Sequence, residues 1–358
     1  MQNAGSSLRS RHLIFAVGAA LLAGGCSPTS YSGGDALVAS AGASVKTTVA
    51  TAYMEASTVS LALDRIDQRA LPLDKTYRHF GSGRGVTVYV FDGGVLESHP
   101  ELEGRVRRGY DAFPNEEHLC NAHGTAVAGA IAGTTLGVAP DAEIVDVKMV
   151  ECRRMRGTID AIERGAKWVL ADAARHPERR AIANWSFIAD TASALPALDA
   201  AVKELLDAGI PVVVSAGNLE TDACHVSPAN APGAIAVGAS RVHRVGAAAA
   251  ATLADERAPG TAFGSCIDVF APGDSVLLPS IDAGMRASQQ LWTGTSMSAG
   301  YASGAIALFL EAHPFATTHE VTMHIEQSSS HSADVDAKSA RAGMLYVGPM
   351  TTIASRPR

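Results

Sequence analysis

Four polar side chains stand where apolar runs of this chain begin or end. Asp92 closes "VTVYVFD" (86–92), and His123 opens "HGTAVAGAIAG" (123–133). Asn218 closes "IPVVVSAGN" (210–218), and Ser296 opens a long apolar stretch at about 296–313. Taken singly, each has an ordinary explanation. A strand-end Asp caps, a lone His is a satisfied structural residue, an Asn beside Gly makes a turn, and a Ser at a helix mouth is an N-cap. Taken together, Asp92, His123 and Ser296 suit acyl transfer: a hydroxyl nucleophile, an imidazole base and a carboxylate to orient that base. The order Asp, His, Ser is one of the three chain orders in which such a triad occurs.

These residues need a scaffold that brings strand ends and helix starts together. The runs "VTVYVFD", "AEIVDVKMV" (142–150), "AIANWSF" (181–187), "IPVVVSAGN", "AIAVGAS" (234–240) and "CIDVFAPG" (266–273) are apolar without alternation. That pattern predicts strands buried on both faces. Between several of them lie helical stretches at 123–133, 158–176 and 194–209. Alternating strand and helix predicts an α/β fold: a three-layer, mostly parallel central sheet with helices on both faces. Its crossovers should be right-handed, and its ligands should gather at the carboxyl ends of the strands. No internal repeat is visible. The Ala-rich patch at 247–257 reads as a loop or a surface helix turn.

The chain has 358 residues, enough for one large domain or two ordinary ones. It is 47% hydrophobic and 18% charged, which places it among globular proteins. With 36 acidic against 29 basic side chains, the net charge of −7 carries no basic surplus for nucleic acid. At the N-terminus "RSRH" (9–12) precedes the apolar "LIFAVGAALLAGG" (13–25) and Cys26. A basic segment, a short apolar core and small residues describe a signal peptide over 1–25, too short to span a bilayer. "LLAGGC" resembles a bacterial lipobox, which would make Cys26 a lipidation site and give a lipid-anchored envelope protein. Plain cleavage and secretion is the competing expectation. Residues 26–58 are small and polar and read as a tether or short pro-segment. Besides Cys26, four cysteines remain: Cys120, Cys152, Cys224 and Cys266. In an oxidising compartment they suggest two disulfides, with three connectivities open. No CxxC pair supports zinc.

From about Leu61 to Gly348 the chain resembles the subtilisin-like serine proteases, and more closely their proteinase K and aqualysin-like branch. The resemblance rests on "LDRIDQRALPLD" (63–74), "VYVFDGGVLESHPELEGR" (88–105), "CNAHGTAVAGAIAG" (120–133), "GVAPDAEIVDVKMVEC" (137–152), "VVVSAGN" (212–218), "FGSCIDVFAPG" (263–273) and "GTSMSAGYASG" (294–304). It implies a catalytic domain over 59–348 followed by a tail at 349–358. It further implies an exported endopeptidase acting on peptides or proteins, with Ser296 as nucleophile, His123 as general base and Asp92 as its orienting carboxylate. The Asn218 amide and the Ser296 N–H would form the oxyanion site. No cofactor is expected for catalysis, and a monomer is expected. By the same resemblance, the disulfides would be Cys120–Cys152 and Cys224–Cys266. A calcium ion would bind at Asp64, Asp67, Gln68 and Asp74. The alternative for those residues is a solvated acidic turn paired with Arg65 and Arg69. A second calcium site of the branch looks lost, because Arg241 stands at the place of its aspartate.

The chain also departs from the family pattern. Gly93 replaces the Thr or Ser usual after the Asp, so a hydroxyl that supports Asp92 is missing. Ala126 replaces a His common in relatives. Gly300 replaces a proline and should loosen the start of the last helix. Where relatives carry "SLGG", this chain has "SFIAD" (186–190), and a Gly/Ser-rich segment is replaced by "CRRMRGT" (152–158). Ser186, Phe187, Ile188, Arg153, Arg154 and Arg156 are therefore candidate substrate-binding residues. The arginines should favour acidic or polar substrate residues, and Phe187 and Ile188 should disfavour large aromatic ones. About 34 residues separate Cys26 from the first matching block, too few for an ordinary inhibitory propeptide. Two rival readings remain: a pseudo-protease that binds peptides, and a structural envelope lipoprotein.

Overall fold

The structure is a computed structural model, and it describes residues 13–14, 53–189, 195–245, 252–330, 339 and 342–348. Cys26, most of the signal and tether segments and the C-terminal tail lie outside the described residues. The main sheet has nine strands. In chain order they are β1 (Val86–Asp92), β2 (Val106–Asp111), β3 (Glu143–Lys148), β4 (Arg180–Trp185), β5 (Val212–Ser215), β6 (Ile235–Val245), β7 (Thr252–Arg257), β8 (Val269–Pro272) and β9 (Gly343–Met344). The spatial order is β9-β8-β6-β5-β4-β1-β3-β2, with β7 paired to β6. Every pairing is parallel except β6 with β7. The Ala-rich patch expected to be loop or helix thus ends in a strand. Residues 252–257 extend the sheet because the long β6 offers an unpaired edge beyond β8.

Strand β1 shows why the apolar runs do not alternate. Val88 and Val90 enter one core, while Tyr89 and Phe91 enter the other. On the first face lie α1 (Leu61–Ile66), α2 (His123–Ala132), α5 (Thr295–Ala312) and α6 (Thr318–Ser328). The second face is covered by α3 (Ile159–Arg175) and α4 (Pro196–Asp207). Burial on both faces makes each strand a continuous apolar stretch, as parallel sheets require. The chain builds β1, β2 and β3 to one side and then returns to place β4 on the other side of β1. The strand order therefore reverses at β1, and the crevice at its carboxyl end is where such folds bind ligands. Asp92 is the last residue of that strand.

Two glycines bring the site-bearing helices together. A Cβ at Gly300 would lie 2.9 Å from Ala130 Cβ, and one at Gly304 would lie 2.9 Å from the Ile131 carbonyl oxygen. Gly300 therefore does not loosen α5, which is continuous from Thr295 to Ala312. It permits close packing of α5 on α2. Both disulfides form as the resemblance implied: Cys120–Cys152 and Cys224–Cys266, with Cα atoms 4.7 and 5.2 Å apart. The closed loops span 32 and 42 residues, for which chain entropy gives about 4 kcal/mol each.

Candidate active site

Asp92 is buried, and its two carboxylate oxygens have separate partners. Oδ1 accepts the Gly93 N–H at 2.7 Å, and Oδ2 lies 2.7 Å from His123 Nδ1. An acceptor at Nδ1 places the ring proton there and leaves Nε2 with the lone pair a base needs. The approach of α2 to Asp92 depends on Gly124, where a Cβ would fall 2.5 Å from Gly94 O and 2.9 Å from Asp92 Cβ. The helix start is completed by Asn121 Oδ1, which accepts the His123 N–H at 2.9 Å. Trp292 meets the imidazole edge-on at 6.1 Å. The missing hydroxyl at Gly93 is a real loss of a donor, but the backbone N–H of the same residue still holds Asp92. A Cβ there would sit 3.4 Å from Cys120 Cβ, so a serine side chain has room.

Ser296 is the second residue of α5 and is not its cap. The N-cap is Gly294, whose φ of 150° is open to glycine and strained for other residues. The Ser296 hydroxyl donates to the Ser186 carbonyl at 3.1 Å, and the Ser186 hydroxyl lies 3.0 Å from the Ser296 carbonyl oxygen. Ser186 is thus tied to the start of α5. The Ser296 N–H lies in the first helical turn, where no intrahelical acceptor exists.

Asn218 lies three residues beyond the end of β5, and its amide orientation is fixed by Thr295. Asn218 Oδ1 accepts from the Thr295 N–H at 2.9 Å and from the Thr295 hydroxyl at 3.1 Å. A backbone N–H can only donate, so the oxygen must face Thr295 and Nδ2 must face away. The Thr295 hydroxyl in turn accepts the Gly217 N–H at 3.2 Å. The sequence reading passed over Thr295; its place directly before Ser296 was the available signal. Thr295→Val removes the hydroxyl and keeps the N–H bond. We expect kcat to fall about fivefold with KM nearly unchanged, as one neutral hydrogen bond is worth about 1 kcal/mol. Unaltered kcat in steady-state peptide hydrolysis would show that the N–H alone holds the amide.

Beneath the turn after Asp92 lies a second polar cluster that sequence reasoning also missed. Asp146 accepts the Val95 N–H at 2.8 Å and lies 2.7 Å from His118 Nε2. Burial pushes the Asp146 carboxyl up, and the bond to Asp146 pulls the His118 imidazole up. The pair braces the turn that carries Asp92 and the loop that leads to His123.

The candidate substrate residues do not act alike. Phe187 is buried, its ring stacked on Trp185 at 5.5 Å. The short strand Ile188–Ala189 presents an edge that pairs antiparallel with Leu13–Ile14, Leu13 opposite Ala189 and Ile14 opposite Ile188. Across from it, Arg156–Gly157 pairs with Val150–Glu151. Arg154 is bound to Glu151 at 3.0 Å, and Arg153 lies 3.7 Å from Glu116. Both are highly exposed and lie beside a glutamate. Arg156 is half-buried and makes no ion pair among the described residues.

At the expected calcium segment the carboxylates have protein partners. Asp64 accepts from the Gln68 side chain at 2.7 Å and from the Asp74 and Lys75 N–H groups. Asp67 accepts the Arg78 N–H at 2.8 Å, and Asp74 lies 2.9 Å from the Arg78 guanidinium. Among the described residues no group of three or more His, Cys, Asp or Glu side chains is disposed to hold a metal. The ion-paired alternative named the wrong arginines. Arg65 forms a buried fork with Asp255 at 2.7 and 2.8 Å, and Arg69 covers the Tyr346 ring. Arg78 is the partner instead. Arg241 pairs with Glu256. One feature still suits a cation: Asp67 Oδ1 is buried with no hydrogen-bond partner among the described residues, and burial pushes that carboxyl up to about 6.

The Subtilase family pattern matches residues 83–344. The extracellular serine proteinase of Thermus sp. (strain Rt41A) is 39% identical over 272 residues, 75% of this chain and 61% of that protein. The alkaline serine exoprotease A of Vibrio alginolyticus is 35% identical over 286 residues, 79% of this chain and 49% of that protein. The chain thus spans about half to three-fifths of the length of these relatives. A crystal structure of a cold adapted subtilisin-like serine proteinase superposes with a TM-score of 0.69 at 32% identity, covering 82% of this chain and all of the other. With the family pattern spanning both Asp92 and Ser296, this chain belongs to the subtilase family.

Proposed function

We propose that the chain is an exported serine endopeptidase that cleaves peptide bonds through an acyl-enzyme. The observation that carries this reading is the buried 2.7 Å contact of Asp92 with His123 Nδ1, on a helix packed against the one that bears Ser296. His123 takes the Ser296 proton as Oγ attacks the carbonyl carbon. Asp92 stabilises the imidazolium and does not itself take the proton. The carbonyl oxygen, now negative, meets Asn218 Nδ2 and the Ser296 N–H, with the positive end of the α5 dipole behind them. His123 then protonates the departing amine, and water enters to release the acyl group. Subtilases need no cofactor for these steps. A fluorophosphonate probe tests the reading: covalent labelling at Ser296 of the folded protein is expected, and folded protein that resists labelling would overturn it in favour of a non-catalytic role.

The peptide is proposed to add as a strand between Ile188–Ala189 and Arg156–Gly157, main chain to main chain. Of the three arginines, only Arg156 is free to read a substrate carboxylate. Arg153 and Arg154, exposed and paired, are each worth under about 1 kcal/mol. Export is inferred from the N-terminal segment and from one relative that is extracellular by name. No helix of the described residues is long and apolar enough to cross a membrane. Anchoring through Cys26 and a monomeric state belong to the same proposal.

A calcium ion is proposed to stabilise the fold at Asp67, with Asp64, Gln68 and Asp74 nearby, by satisfying the orphaned Oδ1. Binding to the folded state alone raises stability by about 2.7 kcal/mol at a hundredfold excess over Kd. We expect the thermal midpoint to rise by several degrees with millimolar calcium and to fall with chelator. A midpoint indifferent to both would remove the site.

A further inference from the structure

We propose that His118 and Asp146 are positioning residues for the triad: an imidazolium at His118, held between Asp146 and Asp111, locks the turn after Asp92 and so fixes the carboxylate that orients His123. The inference rests on the peptidase reading. Both residues act through Asp92.

Sheet register puts Asp146 beside the triad. On β3 it lies opposite Val90, two residues before Asp92 on β1. Val90 enters the first core, on the face that carries α2, and paired residues of a parallel ladder project to the same face. Asp146 is fully buried there. Its Oδ2 accepts the Val95 N–H at 2.8 Å and lies 2.7 Å from His118 Nε2. Its Oδ1 has no hydrogen-bond partner among the described residues. A buried carboxylate so thinly served needs a cation to stay ionised. The surroundings of His118 make it that cation, because Nε2 faces Asp146 and Nδ1 lies 3.4 Å from Asp111 Oδ2. An ionised carboxylate can only accept, and both ring nitrogens donate only in the imidazolium. Two other nearby cations are turned elsewhere: Lys148 Nζ lies 3.3 Å from Asp111 Oδ1, and Arg108 pairs with Glu97.

The turn after Asp92 is gripped at three successive residues. The Gly93 carbonyl accepts the Cys120 N–H at 2.8 Å. Gly94 has a φ of 104°, and a Cβ on it would lie 2.2 Å from the His118 carbonyl oxygen, so the two backbones meet directly. Val95 gives its N–H to Asp146. The same turn abuts α2, since a Cβ at Gly124 would fall 2.5 Å from the Gly94 carbonyl oxygen. A turn released at Val95 would therefore shift Asp92 and the start of the helix that carries His123 together. The brace also has a direction in pH. The hydrogen bond to Asp146 pulls His118 up, with burial and Arg108 opposing it and Asp111 adding to it. The imidazolium is fully present below the ordinary histidine value of about 6.5 and is lost as pH rises through the raised value. Asp146 then keeps a buried charge without its counter-ion, close enough to Asp92 for the two carboxylates to repel.

The test uses the purified full chain, with active sites titrated by the fluorophosphonate probe and hydrolysis of a peptide anilide followed across pH. Asp146→Ala should lower kcat per labelled site by about 100-fold, the scale of a small misplacement of catalytic groups, with KM nearly unchanged. Asp146→Asn keeps an acceptor for Val95 and His118 and should recover kcat to within about fivefold of the wild type, the worth of one neutral hydrogen bond. Wild-type kcat should step down on the alkaline side as His118 loses its proton. His118→Gln still offers an N–H to Asp146 but has no proton to lose in this range, so the step should vanish. If Asp146→Ala does not fold, the pH profiles of the wild type and His118→Gln decide. Wild-type kcat in Asp146→Ala, or an alkaline step that survives in His118→Gln, would overturn the positioning role and leave the peptidase reading standing. A wild-type profile without the step would overturn the imidazolium brace. Folded wild-type protein that is not labelled would overturn both readings together.

Discussion

Ser296→Ala is expected to abolish peptide hydrolysis while the protein remains folded. The loss should be on the order of 10⁶ in kcat, the scale seen when a triad serine is removed. What would remain is the transition-state binding by Asn218 and the backbone donors, which act without a nucleophile. The fold has little at stake in this hydroxyl. Gly294 starts α5, and Ser296 contributes one hydrogen bond to the Ser186 carbonyl, worth about 1 kcal/mol. Thermal unfolding should therefore shift by only a few degrees, and the two disulfides should form as in the wild type. Turnover comparable to the wild type, measured on protein freed of contaminating peptidase, would remove Ser296 from the mechanism.

The second large effect is expected at Asn218. Asn218→Ala deletes the side-chain donor to the oxyanion, and loss of one such donor in a serine protease costs about 10² to 10³ in kcat. KM should change little, because the ground-state carbonyl carries less charge than the tetrahedral oxyanion and is bound less strongly by the same N–H. The substitution also frees the Thr295 N–H and hydroxyl, so a part of the effect is positional. Asn218→Asp separates the two contributions. Its carboxylate can still accept from Thr295 but repels an oxyanion, so it should be at least as inactive as the alanine variant. A rise in KM with kcat intact would mean that Asn218 binds the ground state and the transition state alike.

The apolar runs and helical stretches were legible because each is a local property. Val88 to Phe91 must be apolar throughout if both faces of β1 are buried, and they are. The helices expected at 123–133, 158–176 and 194–209 appear as His123–Ala132, Ile159–Arg175 and Pro196–Asp207. The Ala-rich patch was misread because alanine is at home in loops, helices and strands alike. Only the edge offered by β6 made its end a strand.

The residues of the candidate site could be picked out from the sequence alone, since Asp92, His123 and Ser296 sit at element boundaries, and the motif blocks carried the family and the disulfide pairing. The partners of those residues could not. Thr295 turns the Asn218 amide from 77 positions away, and Arg65 finds Asp255 across 190. Such bonds are choices made through space among many polar groups of similar strength. Local pattern holds no information about which of them the folded chain brings within 3 Å. For the same reason Gly300 read as a loosened helix start but serves as a contact surface for α2, and the glutamates beside Arg153 and Arg154, Glu116 and Glu151, could not be read from the sequence. Chemistry was written in residue type and order; orientation and pairing were decided by packing.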